Sequence, residues 1–215
     1  MTRSPYDVWL FDLDGTLVDI EFAHARRVLG AVGDRIGYDF SDREIERLWH
    51  GLGGERNAQL RRWGIDPEPF WAAFHELEDP QRRAEATYLY DDAARLLDTI
   101  DAPTGIVTHS QTHLTDPILD SLDLRRYFDV VVCCDDDLGW KPDPAPVERA
   151  LDGLGVNGDH AGVLVGDSPG DVGAAWNAGL DAVHVERFDH DTRGQCVRAD
   201  RRVSRLDELL TARLA

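Results

Sequence analysis

The sequence predicts an α/β protein: a doubly wound parallel sheet with a helical domain inserted after the first strand. Three observations carry this expectation. From about residue 90 onward, short β-prone apolar runs alternate with stretches of helical periodicity, the pattern of parallel strands joined by helices. Those runs are apolar on both sides of the chain, as strands covered on both faces are. Residues 19–89 instead carry apolar residues at helical spacing, broken by Gly and Pro, and read as an all-helical block with no strand.

The elements follow in order. Tyr6-Asp7-Val8-Trp9-Leu10-Phe11 reads as a buried strand running into the polar loop Asp12-Leu13-Asp14-Gly15-Thr16. In the helical block, Leu29, Val32 and Ile36 recur at helical spacing, as do Ile45, Leu48, Trp49 and Leu52. Trp49, Trp63, Phe70, Trp71 and Phe74 are expected to form that block's own core. Then a helix at 91–100 precedes Gly105-Ile106-Val107-Thr108, and one at 111–123 precedes Asp129-Val130-Val131-Val132-Cys133. A helix at 144–153 precedes Gly162-Val163-Leu164-Val165-Gly166, and one at 170–178 precedes Ala182-Val183-His184-Val185. A last amphipathic helix carries Leu206, Leu209 and Leu210. The expected domains are a core of residues 1–18 and 90–215 and a helical insert of residues 19–89.

Composition narrows the function classes. The 215 residues hold 41 acids and 23 bases, for a net charge of −18. Such a surface repels nucleic-acid phosphates, so no nucleic-acid partner is expected. No apolar run reaches the length of a membrane span, and an acid interrupts the start of the chain where a signal peptide would be apolar. No membrane partner is expected. Cys133, Cys134 and Cys196 lack metal-site spacing, so a reducing cytoplasm is the expected location. Of the acids 30 are Asp, and of the bases 22 are Arg and one is Lys. A GC-rich genome accounts for the Arg. The acid excess points to a high-salt cytoplasm, where counter-ions screen self-repulsion.

Open α/β sheets bind ligands at the carboxyl ends of their strands. Polar residues collect there. Strand one ends in Asp12 and Asp14, strand two in Thr108-His109-Ser110, and strand four in Gly166-Asp167-Ser168-Pro169-Gly170-Asp171. After strand three come Asp135, Asp136 and Asp137, read as a solvated acidic loop, and then Lys141, the chain's single lysine. Asp-x-Asp also occurs at 135/137 and 189/191, so the weight lies in the ordered context rather than in that pair.

With its four motifs in order, Asp12-Leu13-Asp14-Gly15-Thr16-Leu17, Thr108, Lys141 in Gly-Trp-Lys-Pro-Asp-Pro, and Gly166 to Asp171, the chain resembles the haloacid dehalogenase superfamily. The resemblance is to its phosphatase branch with a helical C1-type cap, and is similar to phosphoglycolate phosphatases. It implies a Rossmann-like core with a cap at 19–89. It also implies a magnesium-dependent phosphatase acting on a small phosphorylated metabolite through an aspartyl-phosphate. The implied nucleophile is Asp12, with Asp14 as acid and base. The implied metal set is Asp12, the Asp14 main-chain carbonyl, Asp167 and Asp171, the last as ligand or support. Thr108, the His109 backbone N–H, Lys141, Gly15 and Thr16 would hold the phosphate.

Glu21, His24 and Arg56 lie near places where capped relatives touch substrate, and Arg56 is the candidate cap contact. Two departures bear on the substrate: His109 stands where relatives often have Asn, and Ile20 follows Asp19 where they often have Ser or Thr. A phosphomutase, a dehalogenase of the same fold and a non-catalytic phospho-ligand-binding module remain alternatives. A monomer or homodimer is expected.

Overall fold

The computed structural model describes residues 6–156, 160–194 and 196–210, apart from the side chain of His190. Six strands, all parallel, make the main sheet: β1 (Val8–Phe11), β4 (Thr104–Thr108), β5 (Val130–Cys133), β6 (Gly162–Gly166), β7 (Asp181–Val185) and β8 (Arg201–Val203). Their order is β5-β4-β1-β6-β7-β8. The chain builds outward from β1 to one edge, then returns to β1's other side and builds to the opposite edge. The point of reversal lies beside β1, where sheets of this kind bind ligands.

Alternation along β1 explains the two layers, since successive side chains of a strand face opposite sides. Trp9 and Phe11 join one apolar cluster with Ala93, Leu96 and Leu97 of α6 (Asp91–Leu97) and Leu119 of α7 (Thr112–Ser121). Val8 and Leu10 join another with Val147 and Ala150 of α8 (Ala145–Gly153) and Val172 and Ala175 of α9 (Pro169–Asn177). Phe11 is fully buried; truncating such a ring to Ala costs about 3–5 kcal/mol.

Two compact units divide the chain. One contains residues 1–19, 88–187 and 197–215; the other contains residues 20–87 and 188–196. The second unit holds α1 (Phe22–Ile36), α2 (Asp42–Trp49), α3 (Arg56–Arg62), α4 (Pro67–Leu77) and α5 (Pro80–Ala86). Local chemistry sets their ends. Gly37, at φ 75, closes α1 with its N–H on the Gly33 carbonyl. Ser41 and Glu44 form a capping box on α2. Asp66 and Asp79 cap α4 and α5, each followed by Pro. The expected aromatic core is present, with Phe70 buried and Trp49, Trp63, Trp71 and Phe74 packed against its cluster.

Four differences from the sequence expectation have physical reasons. The block at 19–89 is not free of strands: β2 (Val18–Ile20) and β3 (Thr87–Leu89) pair where the chain passes between the units. Each has three residues, too few to show an alternation. Residues 188–196, expected in the core, belong to the helical unit. There the Phe188 ring lies 4.7 Å from that of His50, and the Gly53 N–H donates to the Arg193 carbonyl over 2.8 Å. This segment includes a short α10 (His190–Arg193). The edge strand β8 lies outside the expected strands, because with Arg201 and Arg202 it has one buried apolar residue, Val203. The expected last helix is a 3-10 turn, Leu206–Leu210; residues 211–215 lie outside the described ones. Among the described residues, no helix is long and apolar enough to cross a membrane.

Candidate active site

The site candidates of the sheet unit come together at the carboxyl ends of β1, β4 and β6. Asp12 directly follows β1, and its N–H donates to Val165 of β6 over 2.9 Å. Asp167 follows β6. The register of Phe11 with Val165 sets these two acids side by side. Asp171 lies in the first turn of α9, in a capping box with Ser168, whose N–H and hydroxyl donate to its Oδ2 over 2.9 and 2.6 Å. Gly166 permits this fold-back, since a Cβ there would meet Asp171 at 2.3 Å. Gly15 has φ +78, and a Cβ on it would meet the Asp167 carboxylate at 2.7 Å. Glycine is thus required twice, each time by an approaching acid.

Lys141 reaches the same place from the loop after β5. Its Nζ lies 2.7 Å from Asp12 Oδ1, 2.5 Å from Asp171 Oδ1 and 2.8 Å from the Val107 carbonyl. The Thr16 hydroxyl donates to the other Asp12 oxygen, Oδ2, over 3.1 Å. Both oxygens of Asp12 are therefore oriented, one by an ammonium and one by a hydroxyl. Thr108 is buried at the end of β4, and its Oγ1 accepts from the Ser110 N–H over 3.0 Å. The Asp14 side chain stands apart from the three clustered acids and is half-buried. Its Oδ2 accepts from the Ser110 hydroxyl over 2.7 Å.

Electrostatics make this group unlike a surface acid cluster. Asp12, Asp167, Asp171 and Lys141 are all buried. Burial above all, opposed by Lys141 and reinforced by Asp171 and Asp167, pushes the Asp12 carboxyl up to about 8. Burial also works against the Asp171 carboxylate, but Lys141 and Ser168 outweigh it and hold Asp171 below its ordinary value. The Lys141 ammonium is disfavoured by burial and favoured by Asp12 and Asp171, and the acids win. Ionising all three acids against one ammonium would leave negative charge in a place where charge is costly, which is what raises Asp12. Asp12, Asp167 and Asp171 each offer an oxygen, all within 4.8 Å of one another. An all-oxygen set of buried carboxylates suits a hard divalent cation, which would supply the missing positive charge. The residues present fit such an ion.

Other candidates fall differently. The His109 side chain is exposed, and its ring meets Trp140 edge-on at 5.4 Å. Arg56 donates from Nε to the Leu48 carbonyl and from Nη2 to the Trp49 carbonyl. Two of the three Arg56 nitrogens thus tie down the end of α2. His24 is buried within the helical unit, and burial, with Arg27 and Arg83 nearby, pushes its imidazole down to about 4. Asp135, Asp136 and Asp137 are exposed, and Asp135 caps its own loop through the Asp137 and Leu138 N–H groups. Ser110 closes the polar triplet after β4, and no sequence signal marks the acid it meets.

Comparison with known proteins agrees with this geometry. The family model of haloacid dehalogenase-like hydrolases matches residues 9–185. The chain belongs to the haloacid dehalogenase-like hydrolases. Phosphoglycolate phosphatase of Yersinia pseudotuberculosis is 32% identical over 191 residues, covering 80% of this chain and 78% of the relative. That of Escherichia coli K12 is 30% identical over 203 residues, with the same coverage. Among solved structures, CbbY from Rhodobacter sphaeroides in complex with phosphate has a TM-score of 0.71 at 27% identity, covering 95% of this chain and 96% of that one. A haloacid dehalogenase-like family protein from Streptococcus pneumoniae has a TM-score of 0.77 at 15% identity, covering 95% and 97%, and shares the fold. This member of the superfamily is an enzyme of the phosphatase branch, similar to phosphoglycolate phosphatases.

Proposed function

We propose that this hydrolase is a magnesium-dependent phosphatase acting on a small soluble phosphomonoester through an aspartyl-phosphate. The observation that carries the proposal is the pair of differently held acids on one loop. Asp12 is clamped between Lys141 and Thr16 among the clustered carboxylates, whereas Asp14 stands outside them on Ser110. Two acids in different surroundings suit two different tasks.

In the first step an Asp12 oxygen attacks phosphorus in line with the leaving oxygen. The oxygen–phosphorus bond to Asp12 forms, the ester bond breaks, and Asp14 gives its proton to the departing alcohol. In the second step water attacks the aspartyl-phosphate, Asp14 takes the water's proton, and phosphate leaves with Asp12 restored. Thr108 hydroxyl and the His109 N–H hold phosphoryl oxygens, and Lys141 offsets charge on Asp12 and the phosphoryl group. Asp12, Asp167 and the Asp14 carbonyl, with Asp171 as ligand or support, would hold magnesium, which would supply positive charge for the transferring group.

Two- and three-carbon phosphates are the first substrates to test, given the names of the relatives. The acidic composition and three cysteines without metal-site spacing support a high-salt, reducing cytoplasm, with the chain acting as a monomer or homodimer and without nucleic-acid or membrane partners. The test is a screen of sugar, nucleotide and two- or three-carbon phosphates, with magnesium and with chelator, at low and molar salt. The proposal expects inorganic phosphate from at least one of them, with magnesium only. Phosphoryl transfer to a second position without phosphate release would make it a mutase. Halide release from a haloacid would make it a dehalogenase. No turnover at any salt would favour a binding module.

A further inference from the structure

Behind the loop that carries Asp12 and Asp14 lies a second charged cluster. Arg187 follows β7, and Nη1 of its guanidinium donates to both oxygens of Asp92, over 3.0 and 2.8 Å. Nη2 of the same group donates to the Thr16 carbonyl over 2.6 Å. The guanidinium carbon sits 3.8 Å from the centre of the Tyr90 ring, in cation–π range. The Tyr90 hydroxyl donates to Asp19 over 2.6 Å, and Asp92 Oδ2 also accepts from the Leu206 N–H over 2.6 Å. The Arg187 and Asp92 side chains are 8% and 4% exposed, so the pair is a built, desolvated one. Burial works against the Asp92 carboxylate, but Arg187 and the Leu206 N–H outweigh it and hold Asp92 below its ordinary value.

We propose that Arg187 is a positioning residue for the phosphoryl-transfer step, acting on Asp12 through Thr16. The inference rests on the reading of Asp12 as nucleophile. The turn after β1 directs the Thr16, Leu17 and Val18 N–H groups to the Leu13 carbonyl and the Gly15 N–H to Val18. The Thr16 carbonyl faces the other way, to Arg187. Thr16 is thereby held at both ends, its carbonyl by Arg187 and its hydroxyl on Asp12 Oδ2. A buried ion pair has a large desolvation cost, and a planar fork is the group that can meet a carboxylate and a carbonyl at once. The cluster also gathers residues where the chain leaves the sheet unit: Asp19 ends that unit's first segment, Arg187 ends its second, and Tyr90 lies near that segment's start. The nucleophile's loop is thus braced to residues at those segment ends.

The test compares Arg187→Met, Arg187→Lys, Thr16→Val and the double variant Arg187→Met/Thr16→Val, with Asp12→Asn as the inactive control. Lysine keeps a charge for Asp92 but cannot serve the Thr16 carbonyl in the same geometry; valine removes the Thr16 hydroxyl and leaves its carbonyl. With magnesium and a substrate found in the screen, Arg187→Lys is expected to melt near the wild type yet lose kcat by about tenfold, with KM little changed. The double variant should lose no more than its worse single variant, because the two act in series. A folded Arg187→Lys protein with wild-type kcat would overturn the inference, as would losses that multiply in the double variant. An active Asp12→Asn protein would instead remove the nucleophile reading on which the inference stands.

Discussion

Replacing Lys141 with Met removes the one ammonium from a buried set of three carboxylates. At 2.5–2.7 Å from Asp171 and Asp12, each attraction is about 6 kcal/mol gross at an effective dielectric near 20. Desolvation of the ions offsets much of that, and removing one partner of such a pair costs about 3–5 kcal/mol net. In a chain of this size the loss corresponds to a fall in Tm of roughly 6–20 °C. The pH dependence has a definite sign. Lys141 opposes the burial that raises Asp12, and it depresses Asp171. Without it both folded-state values rise, so the folded acids hold protons more tightly than they do in the wild type. The variant is then penalised at high pH and relieved as pH falls through the raised values. Urea melts in chelator at about pH 5, 7 and 9 should show the gap to wild type widest at the highest pH and narrowest at the lowest. Activity should fall by about 10²–10³ with magnesium present. A gap below about 1 kcal/mol, or one independent of pH, would refute the charge argument.

Three further outcomes are expected. Ser110→Ala removes the hydroxyl on Asp14 and should slow the release of an alkyl alcohol by about tenfold, and p-nitrophenol less, in single-turnover experiments; equal slowing would take Asp14 out of the proton-donor role. Asp167→Ala should raise the magnesium concentration needed for half-maximal rate far more than Asp137→Ala, because Asp137 is exposed in a self-capped loop; metal titrations of the two variants decide it. The melting temperature should rise between about 0.1 M and 1 M KCl, as screening shortens from roughly 10 Å to 3 Å around the −18 charge; a flat or falling midpoint would count against high-salt adaptation.

Strand ends were the most legible part of the sequence. Asp12, Asp167 and Lys141 each follow an apolar run or its loop, and a parallel sheet brings such positions together whatever lies between them. Ser110 was less legible, because a hydroxyl in a polar triplet says nothing about which neighbouring acid it will meet. Arg56 is bound to two carbonyls at the end of α2, contacts that depend on how α2 and α3 turn and that no sequence pattern marks. Long-range partners were invisible for the same reason. Thr16 and Arg187 are 171 positions apart, and residues 188–196 find the helical unit through contacts such as Phe188 with His50. Edge strand β8 carries two arginines because its outer side needs little apolar cover, so it lacks the run that marked the inner strands.

In the proposed reaction Asp12 carries the phosphoryl group between substrate and water. The direct measurement is rapid quenching of the enzyme in acid during turnover with magnesium, followed by mass spectrometry of its peptides. One added phosphoryl group, lost in alkali as acyl phosphates are, is expected on the peptide containing Asp12, and none in the folded Asp12→Asn protein. A phosphoryl group on another residue, or phosphate release by Asp12→Asn at the wild-type rate, would contradict it.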